Sequence, residues 1–234
     1  MRTPRDGLAQ ERWARILFGV ISAAVTGGLV LQLVLAVGND AALFETVPGR
    51  IVNVLSFFTI QANIIVAITT GLLAANLHRP STLFRTLRLD GVVGIAITGL
   101  VFHIAISGLH EFTGFDALAD FILHTLSPIL CTLGWLIFGP RRQTSTSVLR
   151  LAVIFPVCWL IYTLIRGAVV SDRFGNDYYP YEFLKVHEHG YPYVLSAAAI
   201  VAALFFAISF AAIALDKRLP GVGTEPAPQP IPGV

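Results

Sequence analysis

The sequence predicts an all-α polytopic membrane protein with six transmembrane helices and with its N- and C-termini cytoplasmic. Hydrophobic residues make up 55% of the 234 residues and charged residues only 13%, about half of the ~25% found in soluble domains. Six apolar stretches are long enough to cross a hydrocarbon core, which needs about 20 helical residues. Lysine and arginine are concentrated in alternate connections between these stretches.

The six predicted spans follow one another with short connections. They cover residues 13–37, 51–75, 91–109, 121–138, 148–170 and 193–215. The first is too long for the apolar core of a signal peptide, so we expect it to be retained. The predicted organisation is a cytoplasmic N-terminus (1–12), a six-helix transmembrane domain (13–218) and a disordered cytoplasmic tail (219–234).

Spans two to five each carry polar residues at helical spacing, all at a similar predicted depth. The shared faces are Ser56, Thr59 and Asn63; His103, Ser107 and His110; His124, Ser127 and Cys131; and Trp159, Tyr162 and Arg166. Unpaired polar groups are costly in hydrocarbon, so these faces should turn towards one another in the outer half of the bilayer. The inner half is predicted to be almost purely apolar, and Gln61 is predicted to bond a neighbouring helix.

The distribution of positive charge predicts the orientation. The chain before and at the start of span one, the second and fourth connections and the chain after span six carry Arg2, Arg5, Arg12, Arg15, Arg79, Arg85, Arg88, Arg141, Arg142, Arg150, Lys217 and Arg218. The other three connections hold only Arg50, Arg173 and Lys185 against nine acids. The positive-inside rule therefore predicts cytoplasmic termini, in a multi-pass protein of the inner (plasma) membrane.

The last outer connection, residues 171–192, is rich in Tyr, Pro and Gly. Tyrosine favours the headgroup level of a bilayer, so we expect a folded segment at the outer interface, with residues 178–189 as a candidate lid. An ordinary aromatic loop has the same composition.

Net charge argues against a nucleic-acid-binding protein, and cysteine usage argues against a disulfide-stabilised fold. The net charge is only +2, and no basic run with interleaved aromatics occurs, so no nucleic-acid partner is expected. Cys131 and Cys158 both lie in apolar runs, which is typical of small buried packing residues rather than a disulfide framework.

Several of the polar residues also have ordinary structural roles open to them. Thr59 can bond a carbonyl one turn earlier in its own helix, and Arg166 can extend to the headgroups. His110 is close enough to a helix end to be interfacial. The conjunction of His103, His124 and Arg166 at one depth favours a functional site.

Three classes of function remain open from the residues alone. Threonine becomes a nucleophile when a base takes its proton, and histidine is the usual base, so Thr59 with His124 would make an esterase. Asn63, His103 or Arg166 would then donate to the developing oxyanion. A haem or metal protein is the second class, with "HEH" at residues 187–189 as a ligand source. A small-solute transporter is the third.

The motifs "FFTIQANIIV", "LHTLSP" and "YTLIRG…YYPYEFL…GYPYV" resemble the androgen-induced-gene family of six-span membrane proteins, especially its bacterial branch. The resemblance covers spans one to six. Animal members are threonine hydrolases that cleave fatty-acid esters of hydroxy fatty acids. The resemblance implies Thr59 as nucleophile and His124 as base. Gly134, Glu182 and Lys185 depart from the pattern of the bacterial relatives.

The sequence thus favours a membrane lipid-ester hydrolase without a cofactor or metal. Its catalytic residues are predicted to be Thr59 and His124, and its partners a membrane lipid or fatty-acid ester and the bilayer. The predicted substrate-binding residues are Ser56, Asn63, His103, Arg166, Tyr162, Tyr181 and His187.

Overall fold

The computed structural model of the protein describes residues 4–106, 108 and 112–222, and these are predominantly helical. The α-helices of this described part are α1 (Pro4–Gly38), α2 (Val47–Ser56), α3 (Phe58–Ala75), α4 (Thr82–Val101), α5 (Gly114–Phe121), α6 (Ser127–Phe138), α7 (Thr146–Ala152), α8 (Ile154–Val169) and α9 (Val186–Arg218). Two π turns, Phe102–Ile106 and Ile122–Leu126, and a 3-10 turn, Glu182–Leu184, lie between them. The predicted all-α class is confirmed.

Six helical segments are long and apolar enough to cross a membrane, which confirms the predicted multi-pass architecture. They are Gly7–Gly38, Phe58–Ala75, Thr82–Ala105, Gly114–Phe138, Thr146–Val169 and Val186–Arg218. Large apolar side chains such as Val20, Ile161 and Ile200 remain exposed on their outer faces. Such faces suit contact with lipid, since a helix already satisfies its own backbone polar groups.

Some predictions lie partly beyond the described residues. Ser107 and His110, two members of the polar face predicted on span three, are outside them. The tail predicted as disordered is described only as far as Val222, which is buried at 3% exposure. Before it, Pro220 accepts a hydrogen bond through its carbonyl from Nε of Arg141 at 3.2 Å. The first tail residues therefore pack back onto the bundle.

Span two is interrupted where the sequence predicts one continuous helix. α2 ends at Ser56 and α3 follows directly, with Phe57 extended between them (φ −71°, ψ 135°). Gln61 Nε2 donates to the Leu55 carbonyl at 3.0 Å, and Trp159 Nε1 donates to the Ser56 carbonyl at 3.0 Å. Because side chains satisfy these carbonyls, an apolar environment tolerates the break. Gln61 bonds within its own span, contrary to the prediction.

Span four contains a π turn directly before Pro128. The Ser127 N–H bonds to the carbonyl of Ile122, five residues back. In this register the next donor would be residue 128, and proline has no N–H, so the Leu123 carbonyl lacks a helical partner. Gly99 lets α4 approach this point, because a Cβ there would lie 2.7 Å from Cβ of Pro128.

The segment between α8 and α9, residues 170–185, folds over one end of the bundle, and we call it the cap. The N–H of Arg173 donates to the Leu43 carbonyl at 2.8 Å, which ties the cap to the α1–α2 connection. Tyr179 packs where Gly167 of α8 has no side chain, since a Cβ there would lie 2.1 Å from the ring. Leu184 is 1% exposed. The cap is therefore anchored along its length.

The sequence predicts that the half of the bundle far from the cap is almost purely apolar. The structure instead places buried charged residues there. Arg88 and Asp90 on α4 are buried at 5% and 2% exposure. The Arg88 guanidinium lies 5.3 Å from the centroid of the Phe18 ring. The apolar run begins at Gly91, but the helix itself begins at Thr82. Arg88, which the sequence predicts in a connection, therefore lies with Asp90 on a buried helical segment.

Candidate active site

A cavity of about 180 Å³ lies between α3, α4, α8 and α9, beneath the cap. Its wall is mostly apolar, with side chains such as Phe58 and Val157. Three predicted site residues, Thr59, His124 and Tyr181, line this cavity together. The residues predicted as nucleophile and base therefore share one cavity, although they belong to different spans.

Thr59 occupies the second position of α3, directly after the break at Phe57. A threonine in a membrane helix commonly donates to a carbonyl one turn earlier, as Thr69 does to the Ile65 carbonyl at 2.8 Å. The break removes the helical turn that would supply such a carbonyl to Thr59. Within the described residues, no carbonyl accepts a hydrogen bond from its hydroxyl. Thr59 is 6% exposed, and its hydroxyl is not used to bond its own helix.

His124 lies in the second π turn, and π turns recur at functional sites. Its ring stacks on Phe102, with centroids 4.3 Å apart and planes inclined by 15°. Its Nδ1 lies 2.9 Å from Oδ1 of Asp120. A carboxylate in this position accepts a hydrogen bond from Nδ1–H, which leaves Nε2 as the basic nitrogen. Asp120 is not among the residues predicted from the sequence, although its spacing of four residues from His124 places the two side chains side by side on a helix.

Thr59 and His124 do not hydrogen-bond each other in the described part of the chain. Contacts between nucleophile and base are often long before substrate binds and shorten in the complex. The residues predicted as nucleophile and base therefore face one cavity, and Asp120 lies in contact with the predicted base.

Asn63 links α3 to the π turn that contains His124. Its Nδ2 donates to the carbonyl of Thr59 at 2.9 Å and to the carbonyl of Leu123 at 3.1 Å. The second bond satisfies the carbonyl that Pro128 leaves without a helical donor. Both amide N–H groups are thereby used, and Asn63 is 0% exposed. Asn63 therefore links the backbone of Thr59 to that of Leu123, the residue before His124. It is not on the cavity wall, where a contact with substrate was predicted.

Tyr181 reaches from the cap to the start of α3. Its hydroxyl faces the Thr59 side chain and the backbone N–H groups of Phe58 and Thr59. Burial raises the pKa of the Tyr181 phenol, and these donors act in the opposite direction. Its ring packs against Trp159 and Phe57, with centroids 5.9 and 5.8 Å apart. The cap therefore places a protonated phenol beside the candidate nucleophile.

Ser56 and Tyr162 lie outside the cavity wall. The Ser56 and Tyr162 hydroxyl oxygens are 2.7 Å apart, and Ser56 Oγ also donates to the Val52 carbonyl at 2.6 Å. The break at Phe57 places Ser56 in a different helix from Thr59, so the predicted common face does not form. These two side chains attach the end of α2 to α8.

His103 forms a second threonine–histidine contact. Its Nε2 lies 3.1 Å from Oγ1 of Thr125. His103 is exposed, and neither residue lines the cavity. The structure therefore contains one Thr–His pair in contact on the exposed surface, and another, Thr59 and His124, facing the cavity.

Arg166 is 8% exposed, and it does not line the cavity either. Its guanidinium lies between two rings, 5.3 Å from the centroids of Phe44 and Tyr178. Its Nη2 donates to Oδ1 of Asn53 at 3.3 Å, and Asn53 Nδ2 donates to the Tyr178 hydroxyl at 3.2 Å. Arg166 thus fastens the cap to α2 and α8, where a substrate contact was predicted.

His187 lies in the first turn of α9 and forms an ion pair with Asp177 of the cap. Its side chain is 68% exposed in this pair. His187 is not on the cavity wall, where a contact with substrate was predicted.

Glu182, Glu188 and His189 bring their ligand atoms within 4.8 Å of one another, as a metal site would. The Lys185 ammonium, however, lies 2.9 Å from both carboxylates. The hydrogen bonds to Glu182 and Glu188 raise the pKa of Lys185, which keeps it charged. The lysine therefore balances the two carboxylates of this exposed cluster.

No protein-family model, curated protein or solved structure matches this chain.

Proposed function

We propose that this membrane protein hydrolyses carboxylic esters of lipids, with Thr59 as nucleophile and His124 as base. The observation that carries the proposal is that both residues line one apolar cavity within the membrane-spanning bundle. The motif resemblance to the androgen-induced-gene family points the same way. An apolar wall suits an acyl chain, because burial of apolar surface favours binding.

The proposed reaction proceeds in two steps. Thr59 Oγ1 attacks the ester carbonyl carbon while His124 Nε2 takes the hydroxyl proton. The tetrahedral intermediate collapses, the C–O bond to the alcohol breaks, and His124 returns the proton to the leaving oxygen. His124 then removes a proton from water as the water oxygen attacks the acyl–threonine carbonyl carbon. The bond from that carbon to Thr59 Oγ1 breaks, His124 returns the proton to Oγ1, and the fatty acid is released.

Asp120 acts as a positioning residue in this scheme. Its carboxylate, 2.9 Å from Nδ1 of His124, selects the tautomer with a basic Nε2 and stabilises the imidazolium that forms. Stacking on Phe102 fixes the plane of the ring. Loss of Asp120 should therefore lower kcat while leaving substrate affinity nearly unchanged.

Hydrolysis of fatty-acid esters by the detergent-purified protein tests the proposal. We expect Thr59→Ala and His124→Ala to abolish turnover. Thr125→Ala and His103→Ala are matched controls, because they remove the exposed Thr–His contact, and we expect them to retain activity. Unchanged turnover in the first two variants, or loss confined to the control pair, contradicts the assignment. Stoichiometric metal or a visible absorption band in the sample would instead support a cofactor protein.

We further propose that the protein lies in the inner membrane with both termini cytoplasmic and the cap on the outer side. The charge asymmetry between alternate connections supports this orientation. A fluorescent-protein fusion that matures only in the cytoplasm, placed at the C-terminus, should fluoresce. A dark fusion, with a periplasmic reporter active at the same position, contradicts the orientation.

A further inference from the structure

The proposed chemistry needs a hydrogen-bond donor for the developing oxyanion, and no residue has yet been assigned to this role. When Thr59 attacks an ester, the carbonyl oxygen acquires negative charge and needs hydrogen-bond donors. The sequence suggested Asn63, His103 or Arg166 for this task. The Asn63 amide donates to two carbonyls, and neither His103 nor Arg166 lines the cavity.

One polar group from the cap does lie beside the nucleophile. The Tyr181 hydroxyl faces the Thr59 side chain and the backbone N–H groups that begin α3. Within the described residues, Phe57 at the N-cap position provides no side-chain cap for these N–H groups. Tyr181 also lines the cavity itself. Its phenol therefore lies beside the candidate nucleophile, on the wall of the cavity in which an ester would bind.

We propose that Tyr181 is a catalytic residue of the proposed hydrolase, donating its phenolic O–H to the oxyanion of the tetrahedral intermediate. The proposal rests on the proposed function. As Thr59 Oγ1 forms its bond to the carbonyl carbon, the carbonyl π electrons move onto oxygen, which accepts a hydrogen bond from the phenol. No proton leaves Tyr181, and collapse of the intermediate restores the carbonyl and the initial hydrogen bonds.

The surroundings of Tyr181 favour this role. Its phenol oxygen faces two backbone N–H groups at the positive end of the α3 dipole, which polarises the O–H bond towards an acceptor. Burial raises the pKa of the Tyr181 phenol, so the group is protonated and able to donate at neutral pH. Its ring is held between Trp159 and Phe57, so little reorganisation is needed when the charge develops.

Kinetics of Tyr181→Phe test the proposal, because only the hydroxyl is removed. Loss of one oxyanion donor typically lowers kcat by about 10²- to 10³-fold, so we expect a loss of about 10²-fold with KM within about threefold. Tyr162→Phe is the matched control: it removes a hydroxyl bonded to Ser56 at the same helix break but outside the cavity. We expect its kcat to stay within about threefold of wild type.

A purely structural role for Tyr181 predicts the opposite pattern. The Tm of Tyr181→Phe would then fall and the residual kcat would stay near that of wild type, which overturns the proposal. A second test keeps the shape of the ring and changes only its acidity. Fluorotyrosine at position 181 loses its phenolic proton at lower pH, so the pH at which kcat decreases in the alkaline range should also be lower. If that pH is unchanged, the proposal is overturned, even where Tyr181→Phe fails to fold.

The failures of the two proposals are distinguishable. Full turnover in Thr59→Ala refutes the hydrolase mechanism itself. An inactive Thr59→Ala beside a fully active Tyr181→Phe refutes only the role of Tyr181. Binding of an alkyl trifluoromethyl ketone, which forms a tetrahedral adduct with hydroxyl nucleophiles, gives an independent measure. We expect its affinity to fall in Tyr181→Phe by the same factor as kcat/KM and to be unchanged in Tyr162→Phe.

Discussion

Replacing Asn63 by leucine should loosen the contact between the two candidate catalytic segments. The substitution keeps the size of the side chain and removes the donor that bonds the carbonyls of Thr59 and Leu123. Thr59 is in α3, so its carbonyl keeps its helical partner. Among the described residues, the Leu123 carbonyl has no second donor, because Pro128 follows in the π register. One buried acceptor is therefore left unpaired.

The cost of that unpaired carbonyl can be worked from its environment. A buried unsatisfied acceptor costs about 1–3 kcal/mol, whereas interhelical hydrogen bonds in membrane proteins average about 0.6 kcal/mol with a maximum of about 1.7. Asn63 is 0% exposed and Leu123 is 1% exposed, so a value of about 1–2 kcal/mol follows. For a chain of this size, about 2–4 °C accompanies each kcal/mol, so the Tm should fall by about 2–8 °C.

The assay pairs thermal unfolding in detergent with ester hydrolysis. Because Leu123 directly precedes His124, we expect kcat of Asn63→Leu to fall by about tenfold or more, as misplacement of a catalytic group does. Thr70→Val is the control: the hydroxyl of Thr70 bonds only carbonyls of its own helix, at 2.6 and 3.4 Å, so both Tm and kcat should be retained. Wild-type Tm and kcat in Asn63→Leu would refute the reasoning.

Three further predictions address the cap, the cavity and pH. Gly167→Ala places a Cβ 2.1 Å from the Tyr179 ring, so we expect a Tm loss reflecting about 1–3 kcal/mol of overpacking; an unchanged Tm contradicts the packing. Ala202→Trp fills the cavity and should slow long-chain esters at least about tenfold more than short-chain ones, whereas Ala203→Trp, outside the cavity wall, should preserve the ratio. Burial raises the pKa of Tyr181 above its ordinary value of 10.0; the unfolded chain releases that proton first, so Tm should fall as pH rises above 10. That fall should be smaller in Tyr181→Phe, and an equal fall contradicts the environment assigned to Tyr181.

The spans could be predicted from sequence because the apolar requirement of a membrane is a property of the local chain. The break at Phe57 and the π turn before Pro128 could not. Each depends on a partner from another element that satisfies a freed carbonyl, Trp159 for Ser56 and Asn63 for Leu123. Local sequence does not specify such partners.

Helical rise predicts a common depth for His103, His124 and Arg166, but it does not predict the direction in which each side chain points. Rotation about each helix axis depends on packing, so His103 is exposed and Arg166 is held between two rings. Asp120 was within reach of sequence reasoning, since residues four apart on a helix are neighbours.

The most direct test of the central claim is to identify the residue that reacts covalently. An alkyl fluorophosphonate phosphonylates activated hydroxyls, and peptide mass spectrometry locates the adduct. We expect one adduct on Thr59 that forms much more slowly in His124→Ala and at the wild-type rate in His103→Ala. An adduct on Thr125 instead, or undiminished labelling of Thr59→Ala, would contradict the claim that the cavity-facing pair carries out the chemistry.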